Sequence, residues 1–132
     1  MASLIGRTYP EVRFLIESEH VDAFAAALGL EPGGPIPPTY AAVYALGTTV
    51  PQLFADPEAA VDLSRLLHAE QEFEWRRQPE RGESVVAQGR VGSDVTRRGM
   101  RFLSLETAVV REGEVDPFCL SRALFVIRGE EA

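Results

Sequence analysis

Apolar and polar positions along this chain follow two periods, and the switch between them predicts its elements. Val12, Phe14 and Ile16 alternate with Arg13, Leu15 and Glu17, a two-residue period that predicts a short strand. From Ser18 the period lengthens to that of a helix, with Val21, Phe24, Ala25 and Leu28 on one side. Ser18 is placed to cap this helix, and Gly29 to end it, because glycine accepts the left-handed conformation at a helix C-terminus. The stretch from Glu31 to Pro38 holds four prolines and two glycines and predicts a constrained loop. A second helix starts at Pro38, where a missing N–H is no loss. Tyr40, Ala41, Ala42, Val43, Tyr44, Ala45 and Leu46 make it apolar nearly all round, so it belongs inside the fold, wrapped by other elements. Asp56 and Pro57 supply an N-cap and an N1 proline for a third, amphipathic helix reaching about Leu67.

From His68 onward the two-residue period returns. Gln71, Phe73 and Trp75 face one way and Glu72, Glu74 and Arg76 the other; Val85, Ala87, Gly89 and Val91 repeat the pattern after a turn at Pro79 to Gly82. Leu103, Leu105, Thr107 and Val109 follow, then a turn at Glu112, Gly113 and Glu114, then Cys119, Ser121, Ala123, Phe125 and Ile127. Such alternation with short turns predicts an antiparallel sheet with one buried face. The order of elements predicts an α+β fold, and a curved sheet around one buried helix satisfies both the apolar helix and the alternating strands. Residues 1–132 read as one domain, with no internal repeat, low-complexity segment or linker.

Composition narrows the chemistry. A net charge of −7 argues against nucleic acid as a partner, since phosphates attract basic clusters. No apolar run approaches the roughly 18 residues that would cross a bilayer, and no signal-peptide pattern opens the chain, so no membrane partner is expected. Cys119 is the only cysteine and cannot form an internal disulfide, which fits a reducing cytoplasm. All 13 basic residues are arginine, which removes a Schiff-base lysine and a P-loop.

Few residues remain as candidates for chemistry. His20, between Glu19 and Asp22 in the first helix, reads as solvated surface. His68 stands at the junction of the third helix and the first long strand, where an imidazole would serve as a general base or donate to an acyl carbonyl; the plainer role is to satisfy a helix-end carbonyl. Glu70, Glu72 and Glu74 at period two predict an exposed face. No His, Cys and Asp group falls at ligand spacing, so neither a metal nor another cofactor is expected. Ser104 and Ser121 lack a G-x-S-x-G elbow, and Cys119 reads as a small core residue. Arg97, Arg98 and Arg101 bracket a glycine turn and are either weak phosphate contacts or a solvated hairpin.

The run His68-Ala69-Glu70-Gln71-Glu72-Phe73-Glu74-Trp75-Arg76-Arg77, followed by Gly82-Glu83, resembles the N-terminal hot-dog half of MaoC-like dehydratases, the (R)-specific enoyl-thioester hydratases. Ile5-Gly6-Arg7-Thr8-Tyr9, Phe24-Ala25-Ala26-Ala27-Leu28-Gly29 and Pro37-Pro38-Thr39-Tyr40 resemble the same family in the same order, over about residues 4 to 129. The resemblance implies the hot-dog fold. Active members carry Gly-Asp-x-Asn-Pro-x-His after the first helix, whose Asp and His form the acid–base pair. Here Gly29 is followed by Leu30 and by Glu31-Pro32-Gly33-Gly34-Pro35-Ile36-Pro37, with no histidine. A leucine accepts no proton, and the general acid–base contribution, about 100- to 10,000-fold, is missing.

The resemblance therefore implies a non-catalytic, substrate-binding subunit of a heteromeric (3R)-hydroxyacyl-thioester dehydratase. Its partners would be an acyl-CoA or acyl-carrier-protein thioester and a catalytic subunit, in a heterodimer or, alone, a homodimer. Phe24, Tyr40 and Tyr44 are expected along an acyl channel, with His68 and Gln71 as further substrate contacts. Two alternatives stay open: an autonomous homodimeric hydratase using His68 with Glu31 or Glu70, and a non-enzymatic acyl-CoA binder.

Overall fold

The computed structural model describes residues 4–129. Strand β1 (Val12–Leu15) leads into helix α1 (Ser18–Ala27). Glu17, not Ser18, occupies the N-cap with extended backbone; Ser18 is the first helical residue, and its hydroxyl accepts a hydrogen bond from Arg81 Nη1 at 2.7 Å. A distant arginine thus claims the oxygen that local spacing assigned to the cap. The other end follows the sequence: Gly29 has φ +79°, and the N–H groups of Gly29 and Leu30 bond the carbonyls of Ala26 and Ala25, closing the helix in a Schellman motif. Leu28, expected on the apolar side, is exposed.

The central helix is a composite of a 3-10 turn (Pro38–Tyr40), a π-helical stretch (Ala42–Leu46) and α2 (Gly47–Ala55). Its buried residues are Tyr40, Ala41, Tyr44, Ala45, Thr49 and Leu53. Pro51, which cannot donate to the helical ladder, lies on the exposed side. The predicted third helix from Asp56 to Leu67 does not form. The chain makes a turn at 57–59 and a 3-10 turn (Leu63–Arg65), and β2 (Leu66–Trp75) is already under way at His68. Asp56 does accept the Glu58 N–H at 3.0 Å, as a capping residue would. Its carboxylate is also bound by the Tyr9 hydroxyl at 2.7 Å and by Arg7 at 2.8 Å, and the left-handed Ala60, φ +49°, stops the helix.

Strands β3 (Ser84–Arg97), β4 (Met100–Arg111) and β5 (Cys119–Arg128) complete, among the described residues, a five-stranded antiparallel sheet in the order β1-β3-β4-β5-β2. Arg98 and Gly99 both have positive φ, as a type I′ hairpin between β3 and β4 requires. The residues predicted to face inward do so: Val85, Ala87, Val91, Leu103, Leu105, Val109, Cys119, Ala123 and Phe125 are all buried. The central helix leaves little room over Gly89, where a Cβ would lie 3.3 Å from both Thr49 Cβ and Leu105 Cδ1. The Thr49 and Thr107 hydroxyls share a 2.9 Å hydrogen bond between helix and sheet. Among the described residues no helix is long and apolar enough to cross a membrane.

Candidate functional site

Tyr40 and Tyr44, four residues apart on the central helix, are both 0% exposed. Phe24 from α1 meets Tyr40 edge-on, with ring centroids 5.3 Å apart, and Phe118 lies 5.9 Å from Tyr44. Each phenol has a polar partner, as a buried hydroxyl requires. Tyr40 shares a 2.6 Å hydrogen bond with His20 Nδ1, and Tyr44 accepts one from Trp75 Nε1 at 3.3 Å. Burial raises the pKa of both phenols, reinforced at Tyr40 by the Glu17 charge and at Tyr44 by Cys119. Burial also pushes the Cys119 thiol up to about 11, although its hydrogen bond with Tyr44 works the other way. A thiol so placed stays protonated at neutral pH and is not a nucleophile.

His20 and Trp75 are members of this cluster that the one-dimensional pattern did not reveal. The neighbours of His20 along its helix are Ser18 and acidic or apolar residues, so nothing local signals a phenol that arrives from a position 20 residues on.

A second polar group lies along β2. His68 Nε2 is 3.1 Å from Gln71 Oε1, and Gln71 Nε2 donates to Ser121 Oγ at 2.9 Å. The His68 ring packs on Phe125 at 4.8 Å between centroids. His68 is exposed, and among the described residues β2 pairs only with β5, so this group lies on a sheet edge that no described strand covers. The structure thus brings Phe24, Tyr40 and Tyr44 together and links His68 to Gln71. The two sets rest on different parts of the core, since Tyr40 and Tyr44 belong to one apolar cluster and Phe125 to the other.

The loop after α1 is held from outside by one arginine. Arg81 donates to Asp22 Oδ1 at 2.9 Å and to the Gly34 carbonyl at 2.8 Å, and Asp22 accepts the Gly33 N–H at 2.9 Å. The Gly33 bond, then Arg81, hold the Asp22 carboxyl below its ordinary pKa. Between Gly29 and Pro37 the only ionisable side chain is Glu31, which is exposed. Arg97 and Arg98 are exposed at their hairpin tip. Arg101 turns inward instead, where Asp94 accepts from its Nε at 2.9 Å and its Nη2 at 3.2 Å and the Ala59 carbonyl accepts from Nη1.

A sheet wrapped on a buried helix, with that helix entered through a proline-rich loop, is the hot-dog architecture. Residues 3–115 match the family described as the FAS1-like dehydratase domain region, and the chain belongs to it. A UPF0336 protein of Clavibacter michiganensis subsp. michiganensis is 31% identical over 144 residues, covering 98% of this chain and 96% of the relative. The fold is shared with the HadBC (3R-hydroxyacyl-ACP dehydratase) complex of Mycobacterium tuberculosis, at a TM-score of 0.71 and 16% identity over 95% of this chain and 98% of that one. The MaoC-like dehydratase of Rhodospirillum rubrum superposes with a TM-score of 0.66 at 14% identity, over 96% and 93% of the two chains.

Proposed function

We propose that this chain is the substrate-binding, non-catalytic subunit of a heteromeric (3R)-hydroxyacyl-thioester dehydratase. The observation that carries this reading is the loop between Gly29 and Pro37, where an acid and a base are needed and Glu31 alone is ionisable. Arg81 and Asp22 brace that loop. Without an imidazole or aspartate there, the chain supplies shape rather than proton transfer.

The acyl chain lies against the half-buried Phe24, with the fully buried Tyr40 and Tyr44 packed behind it and held by the hydrogen bonds of their hydroxyls with His20 and Trp75. The free edge of β2 supports pairing with a catalytic hot-dog subunit, because an uncovered edge presents unpaired backbone groups that a second strand satisfies. His68 and Gln71 stand on that edge, beside the joint. Arg97 and Arg98 are free to contact phosphates of a CoA or acyl-carrier-protein thioester. That HadBC is described as a complex supports a heteromeric arrangement.

Co-expression with a hot-dog subunit that carries the Gly-Asp-x-Asn-Pro-x-His loop tests the reading. The pair is expected to hydrate a crotonyl-type thioester faster than the catalytic subunit alone; equal rates would refute it. The exposed His68 imidazole with its Gln71–Ser121 support favours one second reading, an autonomous hydratase. It requires the purified chain to hydrate the same thioester and His68→Ala to abolish that activity.

A further inference from the structure

The face of the sheet turned away from the central helix carries an ordered row of charge. Register places Glu72 opposite Arg122 across β2 and β5, Arg122 opposite Glu106 across β5 and β4, and Glu106 opposite Arg90 across β4 and β3. The signs therefore run negative, positive, negative, positive over four neighbouring strands. Only Arg90 and Glu106 close to an ion pair, 3.6 Å apart, with both side chains about half exposed at 56% and 49%. Among the described residues Glu72 and Arg122 have no ion-pair partner in their own chain. Glu106 is seated over Gly92, where a Cβ would lie 2.7 Å from its Cδ. The row borders a groove of about 770 Å³ floored by Ala108 and Leu120. Nearer the Arg98 hairpin, a second row crosses the same four strands and is wholly apolar: Leu67, Val126, Phe102 and Val95, with Leu67 63% and Val95 42% exposed.

We propose that this face binds a second copy of the same chain, about a two-fold axis parallel to the strands and passing between β4 and β5. Two identical sheets stacked face to face have two simple choices of in-plane axis. An axis along the rows sets Glu72 over Glu72 and Arg122 over Arg122, which repel. An axis along the strands reverses each row, so that Glu72 meets Arg90 of the second copy and Arg122 meets its Glu106. An alternating row with an even number of charges becomes its own complement on reversal, and the same rotation lays the apolar row on itself. It also keeps the strands of the two sheets aligned, within the roughly 30° found for packed sheets. The contact is isologous, as a closed dimer requires. It leaves the β2 edge free, so it stands independently of the proposed function: two edge-paired assemblies can join through it.

Charge swapping on the full chain separates this interface from a role inside one sheet. Arg122→Glu alone sets a carboxylate against Glu106 of its copy, and Glu106→Arg alone sets a second guanidinium against Arg122. A mixture of the two variants restores an opposite sign at all four positions. In sedimentation velocity at low salt the wild type is expected at twice the mass of either variant, and an equimolar mixture at the wild-type mass. Equal masses for all three proteins, or a mixture that stays at the variant mass, overturn the proposal. Should either variant fail to fold by circular dichroism, the wild type decides alone. Its self-association is expected to weaken about tenfold between 50 mM and 0.5 M NaCl, where the screening length shortens from about 14 Å to about 4 Å. Wild-type protein that does not self-associate, or does so without regard to salt, leaves the face to another occupant and refutes the proposal.

Discussion

The two faces of one sheet carry residues from the same strands, yet they are finished to different degrees. On the inner face the apolar side chains are buried against the central helix, and polar ones are paired: Thr107 with Thr49, Ser121 with Gln71. On the outer face Glu72 and Arg122 stand a strand apart without closing on each other, and Leu67 remains in solvent. A surface packed within the chain answers to stability, because every group there has lost its water. A surface that keeps its water answers to whatever displaces it. Substitutions on the two faces should therefore be read by different instruments, unfolding for the inner face and association for the outer.

The sharpest break is expected at Tyr44. Tyr44→Ala empties a fully buried ring site and strips Trp75 of its partner. It should cost about 3–5 kcal/mol in urea unfolding, as truncating a buried aromatic does. A loss under about 1 kcal/mol would show that the aromatic wall is not packed in solution. Gly89→Val comes next. Its side chain must displace Thr49 and Leu105 from the helix–sheet contact, for about 1–3 kcal/mol of overpacking strain, read by the same unfolding.

The third prediction concerns acid. Burial opposes the charge on Glu83, whose side chain is 7% exposed, but hydrogen bonds from Arg111 at 2.8 Å and Arg77 at 3.0 Å outweigh it and lower its pKa. A carboxylate with a depressed folded pKa stabilises the fold above the ordinary glutamate range, and that contribution is lost as pH falls through the depressed value. The stability gap between wild type and Glu83→Gln should accordingly be largest near neutral pH and shrink on acidification. A gap that does not change with pH would contradict the ion-pair account. The smallest effect belongs to the outer face: Arg90→Ala, which removes half of an exposed pair, should change unfolding stability by less than about 0.5 kcal/mol. A larger loss in the unassociated protein would mean the outer row serves the fold and would erase the contrast between the faces.

Much of the fold was legible because its signals are local. Alternation through Val85, Ala87, Gly89 and Val91 specifies a face wherever one side of a strand is buried, and Gly29 ends a helix by a property of its own backbone. The helix expected from Asp56 to Leu67 failed for the opposite reason. Asp56 offers the right cap, but Tyr9 and Arg7, both from the N-terminal segment, also occupy its carboxylate, and the chain must turn back to reach the sheet edge. The candidate site divides in the same way. Tyr40 and Tyr44 share a helix face by spacing alone, whereas His20 and Trp75 join them only once α1 and β2 are packed in place.

By itself the sequence determined which residues turn inward, where the chain reverses, and that the loop after α1 lacks an acid–base pair, since each follows from the type and spacing of near neighbours. The tertiary structure alone decided the strand order β1-β3-β4-β5-β2 and the register that lines Glu72, Arg122, Glu106 and Arg90 into one row. The physical reason is that register is a relation between strands. No residue carries the identity of the neighbour it will face until the helix it helps to cover has fixed how the strands lie.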